Sequence, residues 1–219
     1  PSDVLRPTRP DAHFAAEAEA ARTAGLVVAV VDHDALTRSG GDASAAVRRV
    51  PPGGGAVYRG WMLRHEQYTA LAAALGERGV RLRTTPEQYR QAHELPGWYP
   101  ALADLTPCST WTTGTTRAEF DTARTALGAG PGVLRDHVKS MKHHWHEAAY
   151  LPDLTDAAGA WAVATRFLEL RADDLVGVSR AAGSERADRA GAREGGRAVA
   201  GGARDVPHEE HRLARPRLD

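Results

Sequence analysis

The chain has 219 residues and carries 28 basic and 28 acidic side chains, which gives a formal net charge of zero at pH 7. This balance argues against a protein that binds nucleic acid or a membrane surface, and the longest apolar run, at 25–31, is too short to span a bilayer. With a single cysteine, Cys108, and no signal peptide at its start, we expect a cytoplasmic protein with neither an internal disulfide nor a cysteine-based zinc site.

The first hundred residues alternate between helical and strand patterns. Residues 11–25 predict an Ala-rich helix that Gly25 ends, and the β-branched run 26–32 is typical of a buried parallel strand. A strand, a helix and a second strand are then predicted at 56–63, 65–79 and 80–85. We therefore expect an α/β domain with a small parallel sheet.

The next elements lead out of this domain. Thr85 as N-cap and Pro86 at the first helical position predict a short helix that ends before Pro96. A strand at 108–113 follows. We place the boundary of the first domain at residue 110 and predict domains at 1–110 and 111–177.

The second domain is predicted to contain a helix at 117–127, a glycine-rich turn, a strand at 133–138 and a helix at 156–171. The expected inward face of the last helix comprises Trp161, Ala164, Thr165 and Leu168. Residues 178–219 differ in composition, because Arg, Ala and Gly supply 24 of these 42 residues. Such a segment buries little apolar surface, so we expect an irregular or disordered C-terminal tail, interpreted either as an ordinary charged tail or as an out-of-frame translation.

Two lysines stand out in a chain whose other 26 Lys/Arg side chains are arginine. Lys139 and Lys142 lie three residues apart at the end of the predicted strand 133–138. Lysine offers a compact point charge that suits phosphate oxygens, so a site that needs it would resist replacement by arginine. The alternative is that the two lysines are close by coincidence.

A metal site is a second interpretation of this region. On an α-helix His143, His146 and Glu147 could face one ion. The HExxH order is lacking and no third remote ligand is evident, so a solvated histidine cluster is the preferred interpretation and no residue is assigned as a metal ligand.

Four strings resemble, in order, the ATP-grasp proteins of the arginine-and-two-lysines clade. They begin at Tyr58 (YRGWMLRHEQYTALAAALGERGVRL), Thr85 (TPEQYRQAHELPGWYP), Thr106 (TPCSTW) and Val133 (VLRDHVKSMKHHWHEAAYLPD). The first string corresponds to a YRGWM motif and the last to a KDYVKSxKHxW motif. The resemblance implies a pre-ATP-grasp α/β domain followed by the first part of an ATP-grasp α+β domain.

The resemblance also implies a chemistry. Such proteins bind ATP and Mg²⁺ and join a carboxylate to an amine or thiol through an acylphosphate, with small molecules or peptides as substrates. Lys139 and Lys142 match the motif lysines and become candidate phosphate contacts, together with Arg135, which stands where the motif has lysine. His137 stands where an aromatic residue is expected. The resemblance places three further residues toward the cleft as substrate candidates: Arg59, Arg90 and His93. No residue is assigned a catalytic role.

The resemblance ends at Gly177, before the strands that would bear the magnesium-binding carboxylates. Asp205, Glu209 and Glu210 lie in no strand pattern and are not assigned as ligands. We therefore expect a chain that is shortened or frame-disrupted relative to its parent, with one wall of the cleft missing and with neither tight ATP binding nor ligation. The alternative from another class is a non-catalytic binding module with a disordered basic arm.

Overall fold

Helices with strong local signals account for much of the protein. The computed structural model describes residues 1–3, 6, 8–139, 141–172, 175 and 177–182. The α-helices in this part of the chain are α1 (Ala15–Thr23), α2 (His33–Thr37), α3 (Ala43–Ala46), α4 (His65–Glu77), α5 (Pro86–His93), α6 (Leu95–Leu102), α7 (Arg117–Thr125) and α8 (Ala157–Arg171). Single turns of 3₁₀ helix occupy Ala12–Phe14, Ala103–Leu105 and Lys142–His144, and a π-helical turn occupies Trp145–Ala149.

The helices predicted at 11–25, 65–79, 117–127 and 156–171 are confirmed as α1, α4, α7 and α8. The helix predicted after Thr85 is confirmed as α5, and its capping is complete. The Thr85 hydroxyl accepts from the Gln88 amide, and the Gln88 side chain accepts from the Thr85 amide. Helix α6 was not predicted, because its sequence contains two prolines, Pro96 in the first turn and Pro100 in the interior.

The strands of the described residues form two separate sheets. They are β1 (Gly55–Ala56), β2 (Arg81–Leu82), β3 (Ser109–Thr112), β4 (Gly132–Asp136), β5 (Tyr150–Leu151) and β6 (Val178–Ala182). Strands β1 and β2 form a parallel pair. The other four form a sheet of order β3-β6-β4-β5, and each of its pairs is antiparallel.

Three strand predictions are corrected by the structure. Residues 26–32 form no strand, and Leu26 and Val27 are 64% and 85% exposed. Among the described residues this run makes isolated backbone hydrogen bonds, such as that from the Ser2 amide to the Val31 carbonyl, in place of a sheet ladder. The strands predicted at 56–63 and 80–85 contract to two residues each. The predicted parallel sheet of the first domain is therefore a short ladder, whereas the strands predicted at 108–113 and 133–138 are confirmed as β3 and β4.

The predicted start of the irregular tail is also corrected. Residues 178–182 form β6, which pairs with β3 on one side and with β4 on the other. The rest of the predicted tail, 183–219, lies outside the described residues. Pro1–Ala182 form one compact unit.

Two hydrophobic clusters lie on either side of the predicted boundary at residue 110. The first packs α2, α3 and α4 around Tyr68, Leu71 and Leu75, the three residues predicted to point inward from α4. The second packs α7, α8 and β4 around Leu134 and Phe167, both of which are fully buried. On α8 the prediction of an inward Thr165 is wrong, because this side chain is exposed and Phe167 occupies the buried face. No helix in the described ranges is both long and apolar enough to cross a membrane.

Candidate functional site

The candidate site is the turn that follows β4. Leu134 points from this strand into the core, and two residues later Asp136 lies on the same face with no exposed surface. The Asp136 amide donates to the Lys139 carbonyl at 2.9 Å, and the Val138 amide donates to Asp136 Oδ1 at 3.4 Å. These bonds close a tight turn that presents the Lys139 side chain to solvent.

A buried ion pair anchors the turn. Arg171, the last residue of α8, donates from its guanidinium to the Asp136 carboxylate. The Arg171 side chain is only 13% exposed and that of Asp136 is 0% exposed. This pair was not predicted from the sequence. The signal that could have indicated it was an acidic residue two positions after a core leucine, on the inward face of a strand.

The backbone of His137 joins three parts of the chain. Its amide donates to the Gly177 carbonyl at 3.1 Å, just before β6, and its carbonyl accepts from the Leu95 amide at 3.0 Å, at the start of α6. The ring lies against Gly177 so closely that a Cβ there would come within 2.2 Å of the imidazole. Residue 177 must therefore be glycine in this arrangement.

The three predicted phosphate contacts differ in environment. Lys139 and Lys142 are exposed, and no carboxylate among the described residues forms an ion pair with either ammonium. Arg135 is half-buried and its Nε donates to the Asp136 carbonyl at 3.3 Å. Burial lowers the pKa of Arg135 and Asp136 opposes this effect. The two lysines are thus available to an external anion, while Arg135 is partly engaged.

The predicted substrate candidates are distributed over two places. His93 lies two residues before Leu95, whose amide donates to the His137 carbonyl of the lysine turn. Burial and then the Lys139 ammonium lower the pKa of the His93 imidazole. Arg90 lies one turn earlier on α5 and forms a loose ion pair with Glu94, at 3.9 Å. Arg59 is held elsewhere, with its Nε 2.5 Å from Oε1 of Glu17 on α1. The structure therefore brings His93 to the lysine turn and fixes Arg59 to another partner.

The alternative metal site does not have the geometry that its spacing assumed. The segment is a 3₁₀ turn followed by a π turn instead of one α-helix, and Glu147 contacts His144 and Arg166. Within the described part of the chain, no three His, Cys, Asp or Glu side chains are grouped so that they could hold a metal ion.

One buried and two half-buried histidines make stability sensitive to acid. Burial is the main cause that lowers the pKa of His33, His93 and His137 from 6.5. The unfolded chain then binds protons more readily than the folded protein, so the stabilisation is complete above the unfolded pKa of about 6.5 and is lost as the pH falls through the folded values. We expect the urea concentration at the unfolding midpoint to decrease when the pH is lowered from about 7.5 to about 5.5. The decrease should be smaller in the His137→Gln variant.

The control for this experiment is His143→Gln, which alters an exposed histidine. It should keep the full acid-induced decrease of the wild type. An equal decrease in the His137→Gln protein would contradict the role assigned to the His137 ring.

The fold and the turn define a mixed α/β protein with a lysine-bearing loop after an antiparallel strand. The model of family 3 in the arginine-and-two-lysines clade of ATP-grasp domains matches residues 126–213. Over this stretch, which contains β4, both lysines, α8 and β6, the chain is similar to ATP-grasp domains. The match continues past Gly177, where the sequence analysis ended the resemblance. No curated protein and no solved structure matches the chain.

Proposed function

We propose that the chain binds the triphosphate of ATP through Lys139 and Lys142. The observation that carries this proposal is a pair of ammonium groups without an ion-pair partner among the described residues, placed after β4 and inside the stretch that matches the ATP-grasp model. Phosphate oxygens accept strong charge-assisted hydrogen bonds from lysine. Arg135 lies on β4 just before the turn, is half-buried and adds positive charge there.

The chemistry that we propose for the parent protein is ligation. A carboxylate oxygen attacks the γ-phosphorus of ATP and ADP leaves, and an amine or thiol then displaces phosphate from the acylphosphate carbon. Lysines at the phosphates would stabilise the charge that develops during the first transfer. We propose Arg90 and His93 as the residues on the substrate side, because His93 lies near Lys139 and Arg90 is its neighbour on α5.

The proposal assigns no described residue as a magnesium ligand. The described residues offer no group of three metal-ligating side chains, and the turn itself is basic. The function that the described residues support is nucleotide binding.

Calorimetric titration of the chain with Mg-ATP tests the proposal. We expect saturable binding, and Lys139→Ala and Lys142→Ala should each weaken it by about 1.5–3 kcal/mol, roughly ten- to hundred-fold in Kd. Both side chains are exposed, so neither change should alter the fold.

The matched control is Arg81→Ala, which removes an exposed cation from β2. Its affinity for ATP should equal that of the wild type. Unchanged affinity in both lysine variants, or absence of binding in the wild type, would refute the assignment of the turn as a phosphate site.

A further inference from the structure

A groove lies beside the lysine turn, where α5 meets α6. Its volume is about 530 Å³, and its walls include Glu87, Arg90 and Glu94 of this junction and His65 at the start of α4. The wall beyond Glu94 continues through Pro96 and Gly97. The groove is thus a polar depression with charges of both signs.

Glu94 is the unusual member of the groove. Its side chain is only 18% exposed, yet its one ion pair among the described residues is the 3.9 Å contact with Arg90 Nε. Charge-assisted N–H···O bonds are about 2.7–2.9 Å long, so Arg90 does not satisfy the carboxylate. Glu94 also occupies the N-cap position of α6 without forming a side-chain capping bond. A largely buried carboxylate therefore retains acceptor capacity on the groove side.

The surroundings of Glu94 favour a cation. Burial raises the pKa of its carboxyl group, and the negative charges of Glu66 and Asp136 act in the same direction, while Arg90 and His65 oppose them. The Nδ1 atom of His65 is buried in the same groove without a hydrogen-bond partner in the described part of the chain. A ligand that brings a positive charge and N–H donors to Glu94 would relieve both the repulsion and the unsatisfied acceptors.

We propose that this groove binds a primary ammonium group at the Glu94 carboxylate. The ligand class is a small amine such as an amino acid derivative, with the ammonium on Glu94 and a polar group within reach of Arg90 and His65. Glu94 adjoins Leu95, whose amide donates to the His137 carbonyl two residues before Lys139. Through this contact the groove is linked to the lysine turn, and it would hold the amine substrate of the ligation. The assignment to ligation rests on the proposed function, whereas ammonium binding does not.

Titration with glycinamide, followed by ¹H–¹⁵N NMR, tests the proposal. Glycinamide carries an ammonium and an amide but no carboxylate, and acetamide is its uncharged counterpart. We expect saturable shifts at the amides of Glu94, Leu95 and Gly97 with glycinamide and none with acetamide. Glu94→Gln should weaken glycinamide binding roughly ten-fold or more, because a charged acceptor is replaced by a neutral one.

Two matched variants test whether binding depends on Glu94 in particular or on any nearby carboxylate. Glu77→Gln removes an exposed carboxylate at the end of α4, outside the groove, and should bind glycinamide like the wild type. Glu87→Gln removes a groove carboxylate that is already held by hydrogen bonds at the start of α5. If Glu87→Gln abolishes binding while Glu94→Gln retains it, or if acetamide binds as well as glycinamide, the proposal is overturned.

The same variants distinguish this proposal from the proposed function. The Glu94→Gln protein should keep wild-type affinity for Mg-ATP, because Glu94 is not among the residues proposed to contact the phosphates. Loss of glycinamide binding with normal ATP binding supports an amine site beside a nucleotide site. Glycinamide binding in a wild-type protein that fails to bind ATP would uphold the groove and remove only its assignment to ligation.

Discussion

Replacing Asp136 by asparagine should lower the free energy of unfolding by about 3–5 kcal/mol. The change removes the charge that faces Arg171 in a place where the Asp136 side chain has no exposed surface and that of Arg171 has 13%. In the variant the Arg171 guanidinium stays charged, since arginine does not lose its proton in proteins, and it faces a neutral amide in place of the Asp136 carboxylate. Urea denaturation of the variant and the wild type at neutral pH measures the difference.

The double variant Asp136→Asn/Arg171→Met provides the control. It removes the buried cation together with its partner, so it should be more stable than the single variant. A single variant within about 1 kcal/mol of the wild type would mean that the pair does not anchor the turn. Asparagine keeps the backbone amide and the Oδ1 atom that close the turn, but it loses the charged contact with Arg171 that anchors it. Asp136→Asn should therefore weaken ATP binding as well.

Replacing Phe167 by alanine should destabilise the protein by about 3–5 kcal/mol. Phe167 lies on α8, has no exposed surface and belongs to the cluster that contains Leu134 and Leu151. Loss of the ring removes buried apolar surface and leaves a cavity that the surrounding helices and strands fill only in part. Urea denaturation again gives the measurement.

Thr165→Ala is the matched control on the same helix. The sequence pattern placed Thr165 inward, but its side chain is exposed and its hydroxyl donates to the Trp161 carbonyl at 3.0 Å. The change should stay within about 0.5 kcal/mol of the wild type. A larger loss for Thr165→Ala than for Phe167→Ala would contradict the orientation of α8.

The helices were predictable because their signals are local. The Thr85/Gln88 capping box and Gly25, with its φ of 78°, fix helix ends through residues a few positions away. Strands need partners that are remote in sequence. The run 26–32 has the composition of a buried strand, yet in the described part of the chain it joins no sheet ladder. Residues 178–182 have no strand pattern, yet they pair with a strand on each side.

The candidate site, like the fold, was predictable only where its signals are local in sequence. The position of Lys139 and Lys142 after a strand followed from the sequence, because a glycine-rich turn and the predicted strand 133–138 precede them. The Asp136–Arg171 pair and the groove at Glu94 did not, because each joins residues from elements far apart in the chain. Composition cannot show which acidic side chain is buried, and only the packed structure separates Glu94 from the many solvated carboxylates.

The strand order β3-β6-β4-β5 has a consequence for synthesis on the ribosome. Strands β3 and β4 emerge first, and their facing edges stay unpaired until β6 has left the exit tunnel, after the whole of α8. During that interval the nascent chain displays two open edges that can template association with other chains. Insertion of β6 therefore determines when the nascent chain stops exposing these two strand edges.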